Sequence, residues 1–251
     1  MTGSRTSVLA LALFGAACRA PAPDRRILYA VEQGPDAHQV RIVDRDGGEV
    51  ARLGDLAHVY SARITPTGTV LATLCEDSGW PLGLAEVSRD GQVVWRYDWP
   101  EGRDEIEFMR ACHVLPNGNL LIAGKRGYGA GNWFKGAVLL EMERSGAEIR
   151  RIELGPLRYL GAVRPLDDGV LVAGEGILEL GWDGRRRVVV PPADETLIFD
   201  ALPLADGGFI YGENARRLVA IDAHGREAWT AIHAKPVFLQ LLAGGHLLAG
   251  G

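Results

Sequence analysis

The sequence of 251 residues lacks the features of several common protein classes. Its formal net charge is -5 and no stripe of basic residues stands out, so we predict no nucleic-acid partner. No nucleophile elbow, phosphate-binding loop or zinc signature is present. The histidines other than His113 show no metal-ligand spacing, and we predict no metal site. After the N-terminus, no apolar run is long enough to span a membrane.

The N-terminus has the form of a signal peptide over residues 1–17. Arg5 precedes an apolar stretch, Val8–Phe14, and three small residues then lead to Cys18. Small residues directly before a cysteine resemble a bacterial lipoprotein signal. We therefore predict export to the periplasm or cell envelope, lipidation of Cys18 as the only membrane contact, and a tether over 18–26. Ordinary cleavage after Ala17, leaving Cys18 as a free thiol, is the alternative.

Two sets of glycine turns alternate along the rest of the chain, and they contain ten of its 33 glycines. The first set comprises Gly68, Gly118, Gly169, Gly207 and Gly245. The second comprises Gly47, Gly91, Gly146, Gly184 and Gly225. Short β-rich segments lie between these turns. Two alternating hairpins indicate a four-stranded unit that is used repeatedly.

This repeat predicts an all-β fold, a β-propeller of four-stranded blades, as a single domain over 27–251. Strands A to D of each blade are joined by a first-set turn between A and B and a second-set turn between C and D. Five blades are favoured and six are possible, with the C-terminal strand completing the N-terminal blade. A β-sandwich would explain short strands but not the fixed order of the two turns.

Two C–D hairpins, 85–95 and 219–229, resemble the quinoprotein-type propeller repeat, and 113–121 is similar to a segment of arylsulfotransferase-type propellers. The resemblance implies that Trp95 and Trp229 pack between adjacent blades. Arg52, Arg150 and the region of Val188 replace the tryptophan elsewhere. Enzymatic quinoproteins are much longer chains, so we predict no bound cofactor.

The connections opposite the glycine turns carry every long insertion, at 76–83, 98–107 and 125–136. Loops on a rigid scaffold commonly carry binding sites. The candidate ligand-binding residues in these insertions are Trp80, Lys125, Arg126, Tyr128 and Trp133. Alternatively, the aromatic residues fold down and cover the edges of the blades.

A second candidate site lies on the innermost strand of each blade. The residues five positions before the first-set glycines include Arg63, His113, Arg164 and Gln240. If they line a central channel, they form a cationic ring suited to carboxylate, sulfate or phosphate. Alternatively, they bond to neighbouring backbone and to Asp200.

Two functions are consistent with these patterns. One is a non-catalytic propeller that binds an envelope protein or a small anionic ligand through the insertions. The other is an arylsulfotransferase-like or other enzyme acting on an anionic substrate in the channel, with His113 as nucleophile or base. Cys75 and Cys112 fall on adjacent blades, where a disulfide is possible, although two buried free thiols are favoured.

Overall fold

A computed structural model of the chain describes most residues from 58 onward and four short segments before them. The described residues are 9–11, 27–31, 39–43, 49–52, 58–76, 81–88, 90–101, 106–128, 134–193, 195–214, 216–233, 236, 238–241 and 247–250. This part of the chain is built from β-strands and turns. Within it, no helix has the length and hydropathy that a membrane crossing requires.

The strands form six sheets, of which four have four strands and two have three. The first strands along the chain are β1 (Leu9–Leu11), β2 (Ile27–Val31), β3 (Gln39–Val43) and β4 (Glu49–Arg52). The first four-stranded sheet contains β5 (His58–Ile64), β6 (Val70–Cys75), β7 (Pro81–Val87) and β8 (Val93–Asp98). The second contains β9 (Ile106–Val114), β10 (Leu120–Tyr128), β11 (Phe134–Met142) and β12 (Glu148–Leu157).

The remaining strands complete two further four-stranded sheets and the C-terminal pair. The third sheet contains β13 (Leu160–Leu166), β14 (Gly169–Gly174), β15 (Ile177–Gly181) and β16 (Arg186–Val190). The fourth contains β17 (Ile198–Pro203), β18 (Phe209–Glu213), β19 (Arg217–Ile221) and β20 (Glu227–Ile232). The last strands are β21 (Phe238–Leu241) and β22 (Leu247–Gly250).

The sheet count is consistent with the prediction of five blades, with six possible. Among the described residues the complete sheets number four, fewer than five, whereas all sheets together number six. The two chain ends share a sheet, as predicted, but the N-terminal partner of β22 is β1 rather than β2. β1 lies within the predicted signal peptide, whose removal stays a prediction.

Each four-stranded sheet is a meander in which consecutive strands pair antiparallel. The glycine turns therefore lie at one end of each sheet, which we call the glycine-turn end. The B–C and D–A connections lie at the other end, the connection end. This separation was predicted from the order of the turns, and it follows from the up-and-down path of the chain.

The glycines of the turns have the backbone conformation that the repeat predicts. Among the eight turn glycines in the described ranges, seven have positive φ; at Gly118 the angle is 85°. There the Gly118 amide donates to the Leu115 carbonyl (2.9 Å) and the Leu115 amide to the Asn119 carbonyl (2.8 Å). This is a three-residue hairpin loop, a type I turn followed by a left-handed residue. Gly169 is the exception in φ, and there glycine is needed for space, because a Cβ would lie 2.1 Å from the Leu180 carbonyl oxygen.

The described chain divides into two compact units, residues 24–158 and residues 1–23 with 159–251. In the first, the β5–β8 and β9–β12 sheets bury one apolar cluster between them, including Leu71, Cys112 and Ile122. In the second, the β13–β16 and β17–β20 sheets bury another, including Leu171 and Phe209. The prediction of one domain over 27–251 stays a prediction.

The two repeat tryptophans pack against these cores. Trp95 lies against the cluster between the first two four-stranded sheets, and Trp229 against the cluster that β17–β20 shares with β21 and β22. The guanidinium of Arg144 lies 5.1 Å from the centre of the Trp95 ring and bonds to the buried Glu86 at 2.5 Å. A cation over an indole face is attracted by the ring quadrupole.

At two of the three positions that lack the tryptophan, an ion pair across two strands takes its place; at the third, Arg52 lies opposite Arg41. Arg150 faces Glu141 at 3.5 Å, and Arg187 faces Glu179 at 2.5 Å. Within the predicted Val188 region, the register identifies Arg187 as the equivalent of Trp95. In both ion pairs, opposite charges occupy neighbouring positions on two strands.

Candidate functional site

At the connection end, the strands of the β9–β12 sheet extend further than those of the other four-stranded sheets. Its strands span 9 or 10 residues. The insertion 125–136 was predicted to be a loop, but β10 continues to Tyr128 and β11 begins at Phe134. The prediction failed because backbone pairing continues into the glycine-rich segment, with Arg126 opposite Gly136.

Lys125 lies in this extension and is flanked by two irregularities of the neighbouring strand. Ala123 pairs with Ala111 and Gly124 with Met109, so that Arg110 is an extra residue. Lys125 then pairs with Phe108 and Arg126 with Ile106, so that Glu107 is a second extra residue. These are β-bulges, which bend a strand and re-aim its side chains.

The first bulge is a repeated feature of the fold, whereas the second is particular to this sheet. Arg110 lies eight residues before the turn glycine Gly118. Tyr60 and Phe199 are unpaired at the same spacing before Gly68 and Gly207. None of the other four-stranded sheets shows a second shift between its first two strands. Only in β9 does an arginine occupy the shared position.

The environment of Lys125 changes its ionisation. The residue is 6 % exposed. Burial lowers the pKa of its amine, and the nearby Arg110 charge lowers it further, to about 7. Desolvation and a like charge both disfavour the protonated form. The uncharged form of the Lys125 amine is therefore far more accessible near neutral pH than that of an ordinary lysine.

Other charged groups converge on the same end of the sheet. A Cβ at Gly127 would lie 2.8 Å from Glu107 Oε1 and 3.6 Å from Lys135 Nζ. Gly127 thus leaves room for a carboxylate and an ammonium beside the backbone of β10. Arg126 instead donates to Glu153 on β12 at 3.0 Å. The extension therefore carries charged side chains of both signs, and Arg126 and Glu153 form a salt bridge among them.

Of the other candidate residues in the insertions, only Tyr128 lies within the described part of the chain. Tyr128 is the last residue of β10, opposite Phe134, and its side chain is not described. Trp80 and Trp133 lie outside the described residues, as does Cys18. Their predicted roles stay predictions.

The predicted channel residues occupy equivalent strand positions. Arg63, His113, Arg164 and Gln240 face Leu71, Leu121, Leu171 and Leu248 respectively across the first two strands of their sheets. Arg63 and His113 belong to the unit 24–158, and Arg164 and Gln240 to the other. All four side chains are partly buried.

Arg164 is held by other strands of its own unit. Its Nε and Nη2 donate to the two carboxylate oxygens of Asp200 at 3.0 and 2.6 Å, and Nη2 also donates to the Leu239 carbonyl at 2.7 Å. Asp200 is fully buried and accepts from the Leu239 amide at 2.8 Å. The alternative interpretation, a bond to Asp200 and neighbouring backbone, therefore describes Arg164.

Arg63 lies close enough to Cys112 for its charge to act on the thiol. Burial raises the pKa of the Cys112 thiol to about 12, with a smaller opposing effect from the Arg63 charge. Cys75 and Cys112 are both free and buried, as favoured from the sequence. The Cys112 Sγ approaches the Leu71 carbonyl oxygen at 3.9 Å, four residues before Cys75 on the same strand. Four strand residues span about 13 Å, far beyond the reach of a disulfide.

The sequence pattern did not identify Arg110 or Glu107. The prediction assumed that side chains alternate between the two faces of an unbroken strand A. A bulge reverses the face that each residue beyond it occupies. The shared spacing of eight residues to the turn glycine is visible in the sequence, but only pairing distinguishes it as a bulge. Within the described residues, no group of three or more His, Cys, Asp or Glu side chains could hold a metal ion.

Comparisons with known proteins show the fold alone. No protein-family model matches the chain, and no curated protein sequence matches it. A crystal structure of a Bacteroides caccae protein of unknown function is similar at a TM-score of 0.62 and 18 % identity, over 88 % of this chain and 80 % of that one.

Two further solved structures are similar at comparable scores. Virginiamycin B lyase from Staphylococcus aureus has a TM-score of 0.55 and 14 % identity, over 93 % of this chain and 76 % of the lyase. The WD40 β-propeller domain of Doa1 has a TM-score of 0.53 and 16 % identity, over 73 % of this chain and 56 % of that one. With the repeated four-stranded sheets, these similarities establish a β-propeller fold for this chain.

Proposed function

We propose that this chain is an exported, lipid-anchored β-propeller that binds a partner protein or a small ligand through the connection ends of its sheets. The extended connection end of the β9–β12 sheet carries the proposal. It adds strand length, a second bulge and a concentration of charge to an otherwise repetitive fold. The glycine-turn ends consist of nearly identical short loops.

The enzymatic alternative has less support. It requires Arg63, His113 and Arg164 to hold an anionic group together, with His113 as nucleophile or base. Arg164 already donates from Nε and Nη2 to Asp200, and from Nη2 also to the Leu239 carbonyl. The lyase among the similar structures is an enzyme, but a likeness at 14 % identity carries no residue roles to this chain.

Capture from envelope extracts tests the proposal. The full chain with Trp80, Tyr128 and Trp133 changed to alanine is expected to lose a protein that the unchanged chain retains. The variant Arg185→Ala, at the glycine-turn end of β15 and β16, is the matched control and retains it. Capture that survives the triple change contradicts binding through the insertions.

Thermal unfolding separates this result from the alternative role of the aromatic residues. If they cover blade edges, the triple variant loses stability along with capture. An unchanged unfolding temperature with lost capture supports a binding role.

A further inference from the structure

One edge of β22 is paired with a strand that the exported protein is expected to lose. β1 pairs antiparallel with this edge, and β21 pairs with the other edge of β22. β1 lies within residues 1–17, the predicted signal peptide. We propose that removal of these residues opens the edge to an extended apolar segment of a partner protein, which adds to the sheet as an antiparallel strand in the place of β1.

The proposal rests on the export step of the proposed function, because the edge opens only when the signal peptide is cleaved. It also goes beyond that function, because the site is the edge of a strand and not a connection end. A processed chain that binds its partner through the insertions but takes no strand at β22 contradicts only the inference about β22.

Without β1, the backbone of β22 has hydrogen-bonding groups to offer along one edge. The residues that β1 pairs with are Ala249, Leu248 and Leu247, opposite Leu9, Ala10 and Leu11 respectively. An open strand edge presents a row of N–H and C=O groups that is a template for another strand. Binding of this kind takes its affinity from main-chain hydrogen bonds and its selectivity from alternate side chains.

Contacts with other strands hold β22 in position. Leu247 and Ala249 are each 3 % exposed. They belong to an apolar cluster with residues of β17, β18, β19 and β21, and Trp229 of β20 packs against this cluster. Because these strands remain when residues 1–17 are removed, the edge of β22 is preorganised for an incoming strand.

The register defines the kind of segment that fits. Residues directly opposite each other in an antiparallel pair lie on the same face of the sheet. The face that carries Leu247 and Ala249 is turned toward an apolar cluster. The incoming strand therefore needs apolar residues at two positions separated by one residue, the positions that Leu11 and Leu9 occupy in β1. A charged residue at either position would be buried without a partner, which is costly.

A single extended segment fits this edge better than a second copy of the protein. The occupant in the structure is one strand, which pairs with β22 and with none of the other described strands. A second copy that offered its own β22 would bring its β17–β20 sheet to the same edge, because β22 packs against that sheet. A partner segment without a sheet of its own can follow the path of β1.

Fluorescence anisotropy with a labelled peptide of residues 5–12 tests the proposal. Two forms of the protein are compared in the same detergent. One is the full chain purified from the cytoplasm, and the other is the processed form recovered from the envelope of an exporting bacterial host. The processed form is expected to bind the peptide about tenfold or more tightly than the full chain, because tethered β1 competes for the edge at a high effective concentration.

Modified peptides show whether the segment binds as a strand. Alternate residues of an antiparallel strand direct their amides toward the neighbouring strand. One peptide therefore carries a methyl group on the amide nitrogen of Ala10, and another carries methyl groups on those of Leu9 and Leu11. One of the two is expected to keep the affinity of the unmodified peptide, whereas the other loses binding. A peptide with Leu9→Asp and Leu11→Asp is also expected to lose binding.

Cross-linking identifies the edge. A photoreactive group at position 10 of the peptide is expected to label residues 247–250 of the processed form, since Ala10 lies opposite Leu248. Labelling of other strands instead would contradict the proposal.

Further results would also overturn the proposal. Two of these are equal affinities of the full chain and the processed form, and equal affinities of the two methylated peptides. A dimer of the processed form that the peptide dissociates would assign the edge to a second copy. These results leave the proposed function intact, which the aromatic triple variant tests separately. Retention of residues 1–17 in the envelope form would contradict cleavage on export as well.

Discussion

Lys125 is a strand residue whose ionisation is set by its neighbours rather than by its type. The sequence identified it as a binding candidate because it begins an insertion. Its burial was not predictable, because the insertion was expected to be a loop in water. Instead, Lys125 lies in a central strand between Phe108 and Ala137, its side chain is buried, and Arg110 adds a like charge.

A stability profile against pH measures this effect. The unfolded chain holds the Lys125 proton up to about the ordinary pKa of 10.5, whereas the folded chain releases it near 7. The unfolded state thus binds more protons between these values, and the free energy of unfolding rises with pH across this window. Lys125→Met lacks this contribution.

Urea unfolding at pH 7 and pH 9.5 makes the comparison. Lys125→Met is expected to be more stable than the unchanged chain at pH 7, with the difference shrinking by pH 9.5. Lys135→Met, whose side chain is exposed, is the control and should run parallel to the unchanged chain. Parallel profiles for Lys125→Met would show that its amine keeps an ordinary pKa.

At the scale of elements, the first strands of neighbouring sheets make hydrogen bonds to one another that the sequence repeat does not predict. Arg164 on β13, Asp200 on β17 and Leu239 on β21 are joined by charged hydrogen bonds. The sequence placed Arg164 and Asp200 on one face of equivalent strands. Whether they met each other or a ligand depended on the approach of one sheet to the next.

Removing the Arg164–Asp200 salt bridge is expected to lower the free energy of unfolding. Arg164→Met leaves the fully buried Asp200 carboxylate without its guanidinium partner, a loss of about 3 kcal/mol in the free energy of unfolding. Arg164→Met combined with Asp200→Leu should recover part of this loss, since no buried charge remains. Arg185→Met, from an exposed pair with Asp183, is the control with no measurable change. Equal effects of Arg164→Met and Arg185→Met in chemical denaturation would contradict the assignment.

At the scale of the whole molecule, the comparisons establish a propeller fold and leave the cellular location to be tested. The prediction of export and lipidation depends on residues 1–18. In a bacterial host with a lipoprotein pathway, the full chain is expected to incorporate labelled palmitate and to sediment with membranes.

Cysteine variants distinguish a lipid anchor from simple export. Cys18→Ser should abolish both the label and the sedimentation, whereas Cys112→Ser, which changes a buried thiol, should retain both. A secreted product that begins at Cys18 without lipid would establish ordinary cleavage instead.

The sequence by itself determined the repeat, the class of hairpin and the end of each sheet that carries insertions. These depend on local chemistry, because a glycine with positive φ specifies its turn wherever it occurs. Only the tertiary structure decided that the third insertion continues two strands, that Arg110 and Glu107 are extra residues beside Lys125, and that Arg164 meets Asp200. Register and sheet-to-sheet contacts join residues far apart in the chain, and no local pattern encodes them.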